Sequence, residues 1–269
     1  MIRATSYKIQ AKKSLGQNFL INPHILEKIV AAAEITSNET VLEIGPGTGN
    51  LTEILSKEAG RVIAIEKDHR LISVLTEKFK NSNVKLVEDD ILKLDPRDLE
   101  ITQDYKIVAN IPYYITSNLL RIIFESPNWR ATKPSLIVLT IQKEVAQRII
   151  AKPPHTNLLA LSVQYYAEPK VISYISKNNF RPVPKVDSAI IRLVPRQITI
   201  ANEQEEGRLF ELMKAGFSEK RKQLAPVLSK KLKIPKEDIL NTFEKVGLAP
   251  NIRPENLSLA QWQELAKIL

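Results

Sequence analysis

The stretch Glu43-Ile44-Gly45-Pro46-Gly47-Thr48-Gly49-Asn50 carries glycines at the spacing G-x-G-x-G. Glycine lets a backbone turn sharply and approach a ligand with no Cβ in the way, so this loop could cradle a small molecule. A dinucleotide fingerprint would need its third glycine at position 50, which is Asn50, and a Walker loop would need Gly-Lys-Ser/Thr. Neither a pyrophosphate nor a triphosphate is the obvious ligand. Glu66 stands 21 residues beyond Gly45, where a carboxylate accepts hydrogen bonds from ribose hydroxyls. Glu88-Asp89-Asp90-Ile91 then offers Asp90 to the exocyclic amine of an adenine and Ile91 to the face of its ring. Ribose and adenine contacts without a phosphate cradle point to S-adenosylmethionine, held by Gly45, Gly47, Glu66, Asp90 and Ile91. The plainer alternative is a left-handed turn followed by surface acids.

A second constellation is Asn110-Ile111-Pro112-Tyr113. An exocyclic adenine amine is planar and a poor nucleophile, because its lone pair is conjugated with the ring. The Asn110 side-chain oxygen and the Ile111 carbonyl can accept its two N–H bonds, turning the lone pair toward a sulfonium methyl and stabilising charge that develops on nitrogen. Pro112 fixes the backbone and pushes Ile111 into an extended conformation, and Tyr113 supplies an aromatic face. The methylated ammonium loses its proton readily, so no general base is required. Read alone, the tetrapeptide is also compatible with a mere strand-ending turn. A base inside a stem is out of reach, so the target must be flipped or lie in an unpaired loop. Phe180, in the turn-rich Asn178–Pro184, is either a second stacking face or a core residue anchoring that loop.

These residues need elements that bring them together. Asn22-Pro23 reads as an N-cap with proline at the first helical position, and Ile25, Leu26, Ile29, Val30 and Ala33 follow at helical spacing. Val41–Gly45, Val62–Glu66, Val84–Val87, Ile107–Asn110 and Leu136–Ile141 are short apolar runs that read as buried strands, with amphipathic stretches between them. This alternation predicts an α/β fold with a parallel sheet covered on both faces, and ligands bind beyond the carboxyl ends of such strands. Lys170–Ile175 and Ala189–Val194 fit a hairpin added at one edge. After Pro195 the strand pattern ends. Short helices, separated by Pro226, Pro235, Gly247, Pro250 and Pro254, lead to a last helix opened by a Ser258/Gln261 capping box. A domain boundary is expected near residue 196.

Composition narrows the classes. Zero cysteines among 269 residues exclude disulfides and thiolate chemistry. The three histidines, His24, His69 and His155, are too dispersed to suggest a metal site. No apolar run approaches the ~18 residues of a membrane helix, and no secretory block opens the chain, so a cytoplasmic protein is expected, with no membrane partner. The formal charge of +9 favours a polyanionic partner. Arg3, Lys8, Lys12 and Lys13 precede the first acid, Glu27. From Lys214 to Lys236 eight lysines or arginines face one acid, Glu219. Lys220, Arg221 and Lys222 lie there without interleaved aromatics, which suits phosphate contacts rather than base reading. A solvated basic surface is the alternative.

Beyond these readings, the chain resembles the small-subunit ribosomal RNA adenine dimethyltransferases, whose loss gives kasugamycin resistance. The resemblance rests on Ser14–Leu20, Glu43–Gly49, Asn110–Tyr113, Gln142–Ala146, Pro182–Ser188, Lys220–Leu224 and Arg253–Ser258, in the expected order. It implies a Rossmann-like class I methyltransferase domain over 1–196 and a small all-helical rRNA-binding domain over 197–269, acting as a monomer. It also implies that Asn18 and Leu20 close over the cofactor, that Gly45 lies beside its methionine part, and that Asn110 contacts both cofactor and target. The implied substrate is two adjacent adenosines in a hairpin loop near the 3′ end of small-subunit rRNA, presented on an assembly intermediate. Tyr114 departs from the Asn that many members carry. A large-subunit adenine methyltransferase conferring macrolide resistance shares the loop and tetrapeptide, and a non-catalytic assembly factor is the alternative from another class.

Overall fold

The computed structural model describes residues 11–12, 15–101, 104–197 and 203–269, so Arg3, Lys8, Lys13 and Ser14 lie outside the described residues. The chain divides into two compact units, residues 1–146 with 170–195 and residues 147–169 with 196–269.

The first unit is built on β1 (Phe19–Leu20), α1 (Pro23–Ala33), β2 (Thr40–Ile44), α2 (Asn50–Glu58), β3 (Arg61–Glu66), α3 (His69–Lys78), β4 (Val84–Glu88), β5 (Tyr105–Asn110), α4 (Thr116–Glu125), α5 (Pro127–Ala131) and β6 (Leu136–Gln142). After β6, α6 (Lys143–Ile149) and α7 (Leu158–Tyr166) precede β7 (Ala167–Ile175), β8 (Phe180–Arg181) and β9 (Ser188–Pro195). Seven strands form one sheet in the order β4-β3-β2-β5-β6-β9-β7, with β4 through β6 parallel and β9 antiparallel to β6. The apolar runs are strands for a physical reason: Val41, Leu42, Ile63, Ala64, Ile107, Val108 and Val138 are all fully buried, as parallel strands covered on both faces must be. The expected edge hairpin is present as β9 and β7, although β7 starts at Ala167, ahead of the apolar alternation. At the N-terminus of α1 the Asn22 side chain accepts from the His24 N–H at 3.0 Å, and Leu26, Ile29, Val30 and Ala33 are buried.

The chain leaves β2 toward β3 and β4, then returns to β5 on the other side of β2. That reversal opens a crevice at the carboxyl ends of the strands. The loop after β2, Glu66 at the end of β3, the acids after β4 and the tetrapeptide after β5 therefore all border one place.

The second unit adds α8 (Glu203–Phe217), α9 (Leu224–Leu232), α10 (Lys236–Lys245) and α11 (Leu259–Ile268). Met213, Leu228, Phe243, Trp262 and Leu265 are its buried core. The Ser258/Gln261 capping box opens α11 as expected. Pro226 does not separate helices; it sits in the first turn of α9, where its missing N–H has no intrahelical partner to lose. Residues 147–169 join this unit because Thr156 Oγ1 donates to the Glu255 carbonyl at 2.8 Å and Tyr166 stacks on Phe210 at 5.6 Å.

Candidate active site

Glu66 is 6% exposed and holds two backbone N–H groups, Gly47 at 3.2 Å and Asp68 at 2.8 Å. One carboxylate thus pins the glycine loop to the end of β3. Burial raises its pKa against those hydrogen bonds. Gly47 has φ +60°, and a Cβ there would meet Phe19 Cδ1 at 2.9 Å, so only glycine admits this approach. Asp90 pairs with Lys67 Nζ at 2.8 Å and accepts the Leu92 N–H at 3.1 Å. Burial alone would raise its pKa, but the Lys67 and Leu92 bonds outweigh it and hold the carboxyl low. Ile91 is buried beside it.

The segment Leu15–Leu20 forms a strap across this floor. Phe19 and Leu20 pair antiparallel with Arg181 and Phe180. The Asn50 side chain donates to the Leu20 carbonyl at 3.0 Å, and the Asn18 side chain to the Gly16 carbonyl at 3.1 Å. Gln17 Nε2 donates to Asp68 at 2.9 Å. Asp68 is itself held by Arg70 at 2.6 Å, a guanidinium contact that keeps its carboxyl far below the usual range.

Asn110 ends β5 and its Nδ2 donates to the Asn18 carbonyl at 3.2 Å. The amide is thereby oriented, with Oδ1 left to accept. Ile111 is buried, Pro112 has φ −59°, and the Tyr113 hydroxyl meets Ser188 Oγ at 2.5 Å. Burial raises the Tyr113 phenol pKa, so it stays neutral.

Asn18, Leu20, Gly45, Gly47, Glu66, Asp90, Ile91, Asn110, Ile111, Pro112 and Tyr113 therefore line one cleft. Phe180 does not present a stacking face. It is fully buried among Leu20, Ile175 and Ile190, because its pairing with β1 turns the ring into the core. Lys220, Arg221 and Lys222 are exposed in the turn between α8 and α9, with Lys222 paired to Glu219.

Sequence reasoning gave no role to Glu43. It is 1% exposed on β2, its Oε2 has no partner among the described residues, and burial with the nearby Glu66 charge pushes its carboxyl up to about 8. An acid inside the apolar run Val41–Ile44 was the visible signal, since buried carboxyls are costly. Glu43 lines the same cleft as Glu66 and Asp90, as a neutral acid that adds no charge to its floor.

Comparison with known proteins places the chain in a family. Residues 8–269 match the family described as ribosomal RNA adenine dimethylase. A ribosomal RNA small subunit methyltransferase A of Dehalococcoides mccartyi strain CBDB1 is 45% identical over 96% of this chain and 88% of its own length. The protein of the same description from Lachnoclostridium phytofermentans is 40% identical over 98% of this chain and 93% of its own. Among solved structures, the 23S rRNA methyltransferase ErmE superposes with TM-score 0.76 at 26% identity, covering 94% of this chain and 99% of that one. A dimethyladenosine transferase from Plasmodium falciparum also reaches TM-score 0.76, at 29% identity over 92% of this chain and 95% of that one.

Proposed function

We infer function from one premise: this chain belongs to the ribosomal RNA adenine dimethylase family. We propose that it is an S-adenosylmethionine-dependent N6-dimethyltransferase. Its substrate on this reading is two adjacent adenosines in a hairpin loop near the 3′ end of small-subunit rRNA, on an assembly intermediate. The observation that carries the chemistry is the Asn110 amide, whose nitrogen is committed to the Asn18 carbonyl.

When bound, the cofactor supplies a methyl group on a positively charged sulfur. Glu66 would accept from the ribose hydroxyls, Asp90 from the adenine amine, and Ile91 would pack on the ring, while Gly45 and Gly47 would leave room for the backbone to approach. Asn18 and Leu20 close the strap. On the target side, Asn110 Oδ1 and the Ile111 carbonyl would accept the two N–H bonds of the amine and so free its lone pair for the transfer. The positive charge that would grow on the target nitrogen as it takes the methyl group would be stabilised by those two acceptors. The spare proton then leaves to water. Tyr113 offers its face to the base with a neutral hydroxyl held by Ser188. Methyl transfer belongs to the first unit on this reading, and rRNA phosphate contacts to Lys220, Arg221 and Lys222 in the helical range 197–269.

The test is methyl transfer to under-methylated small subunits and, separately, to large subunits, with products mapped by mass spectrometry. Two neighbouring dimethyladenosines near the small-subunit 3′ end support the proposal. Product on large subunits alone would assign the chain to the large-subunit activity, and cofactor-independent rRNA binding without product would leave an assembly factor.

A further inference from the structure

Tyr113 and Tyr114 are neighbours on the short 3-10 turn Tyr113–Ile115, where successive side chains diverge by about 120°. They serve opposite sides of the cleft. The Tyr113 hydroxyl reaches Ser188 on β9. Tyr114 turns toward the strap and β3: a Cβ on Gly16 would lie 3.0 Å from its Cδ1 and 3.3 Å from its Cε1. Lys67, the residue after Glu66, marks the same side. Its ammonium is held above its ordinary pKa first by the Asp90 hydrogen bond, with the Tyr114 phenol adding to the field. Tyr114 also lines the cleft, yet it is 58% exposed. It is a large ring at the mouth, set against Gly16 of the strap and within electrostatic reach of Lys67, which itself pairs with Asp90.

We propose that Tyr114 is a cofactor-contact residue whose ring covers the adenine end of the bound nucleoside, while Tyr113 serves the target base. This inference rests on the function proposed above. Asp90 addresses the adenine edge and Ile91 one face, and a purine gains from a flat aromatic surface on the other. Gly16 has φ +58° and no side chain, which lets the strap lie against the Tyr114 ring and seal that end. The residue acts on binding and not on the reacting atoms.

The experiment is calorimetry on the full chain with two ligands, S-adenosylhomocysteine and 5′-methylthioadenosine, the second keeping the nucleoside and lacking the amino acid. Tyr114→Ala is expected to weaken both by the same factor, about tenfold. Tyr114→Phe should stay within about twofold of the original chain, since stacking and not the hydroxyl carries the contact. Affinity for a small-subunit rRNA hairpin should not change. If the alanine variant fails to fold, Tyr114→Asn, polar and without an aromatic face, makes the same test. Unchanged affinity for both ligands would overturn the inference, as would a loss confined to S-adenosylhomocysteine. Loss of rRNA affinity with nucleoside binding intact would make Tyr114 an RNA contact and overturn it too. If the unaltered chain bound neither nucleoside, the proposed function would fall with it.

Discussion

The side-chain nitrogen of Asn110 donates to the main-chain carbonyl of Asn18 at 3.2 Å. This bond ties the end of β5 to the strap Leu15–Leu20, which is itself paired to Phe180–Arg181. On the proposed function, the residue that addresses the target amine is thus oriented by the segment that closes over the cofactor. That one bond fixes which way the amide faces and leaves its oxygen as an acceptor, which is what a conjugated amine requires.

Glu66→Ala should weaken S-adenosylmethionine binding by roughly 1.5–3 kcal/mol, tenfold to a hundredfold. Part of that effect comes through the loop, because the Gly47 and Asp68 N–H groups are left without their acceptor. Calorimetry measures the first effect and thermal melting the second. An unchanged dissociation constant would remove the ribose assignment.

Gly47→Val should lower thermal stability as well as cofactor affinity. A side chain there strikes the Phe19 ring before it reaches any ligand, and it must adopt φ +60°. Strain of this kind costs of order 1–3 kcal/mol. Melting with and without S-adenosylhomocysteine checks both consequences.

The buried Glu43 makes stability depend on pH. Its carboxyl titrates near 8 in the folded chain, against an ordinary value of 4.5. Between those values the folded protein keeps a proton that the unfolded chain has released, so stability falls as pH rises from about 5 through 8. Glu43→Gln should flatten that decline and be the more stable protein at pH 9. Denaturation midpoints across pH 5–9 for both proteins decide the matter, and parallel curves would show that Glu43 is ionised in the fold.

Replacing Lys220, Arg221 and Lys222 by alanine should weaken rRNA binding and flatten its dependence on salt, by about 0.7–0.9 in slope for each phosphate no longer neutralised. Lys220 and Arg221 should carry most of this, since Lys222 is already paired with Glu219. Nucleoside affinity and the dimethyl product should not change. An unaltered salt slope would put the footprint on the first unit.

The parallel strands were legible because a strand buried on both faces reads as an unbroken apolar run, as Val62–Ile65 does. Glu66 and Asp90 could be read as candidates from their places at strand ends, and both line the cleft. Phe180 could not be resolved in the same way. Its burial depends on pairing with Leu20, distant in sequence, in strands of two residues that carry no periodicity. The Asn110–Asn18 bond and the Gln17–Asp68 bond are likewise long-range and involve a main-chain or side-chain partner that no spacing encodes. Grouping of residues 147–169 with the helical unit depends on Thr156 meeting the carbonyl of Glu255, which local pattern does not show either.

The most direct test of the mechanism is the single-turnover rate of Asn110→Ala on under-methylated small subunits at saturating S-adenosylmethionine. Removing the oriented acceptor takes away stabilisation that exists only as charge develops on the amine, so the rate should fall by roughly a hundredfold or more. rRNA affinity should stay near that of the unaltered chain. A variant that binds the cofactor and methylates adenosine at the original rate would contradict the role assigned to Asn110.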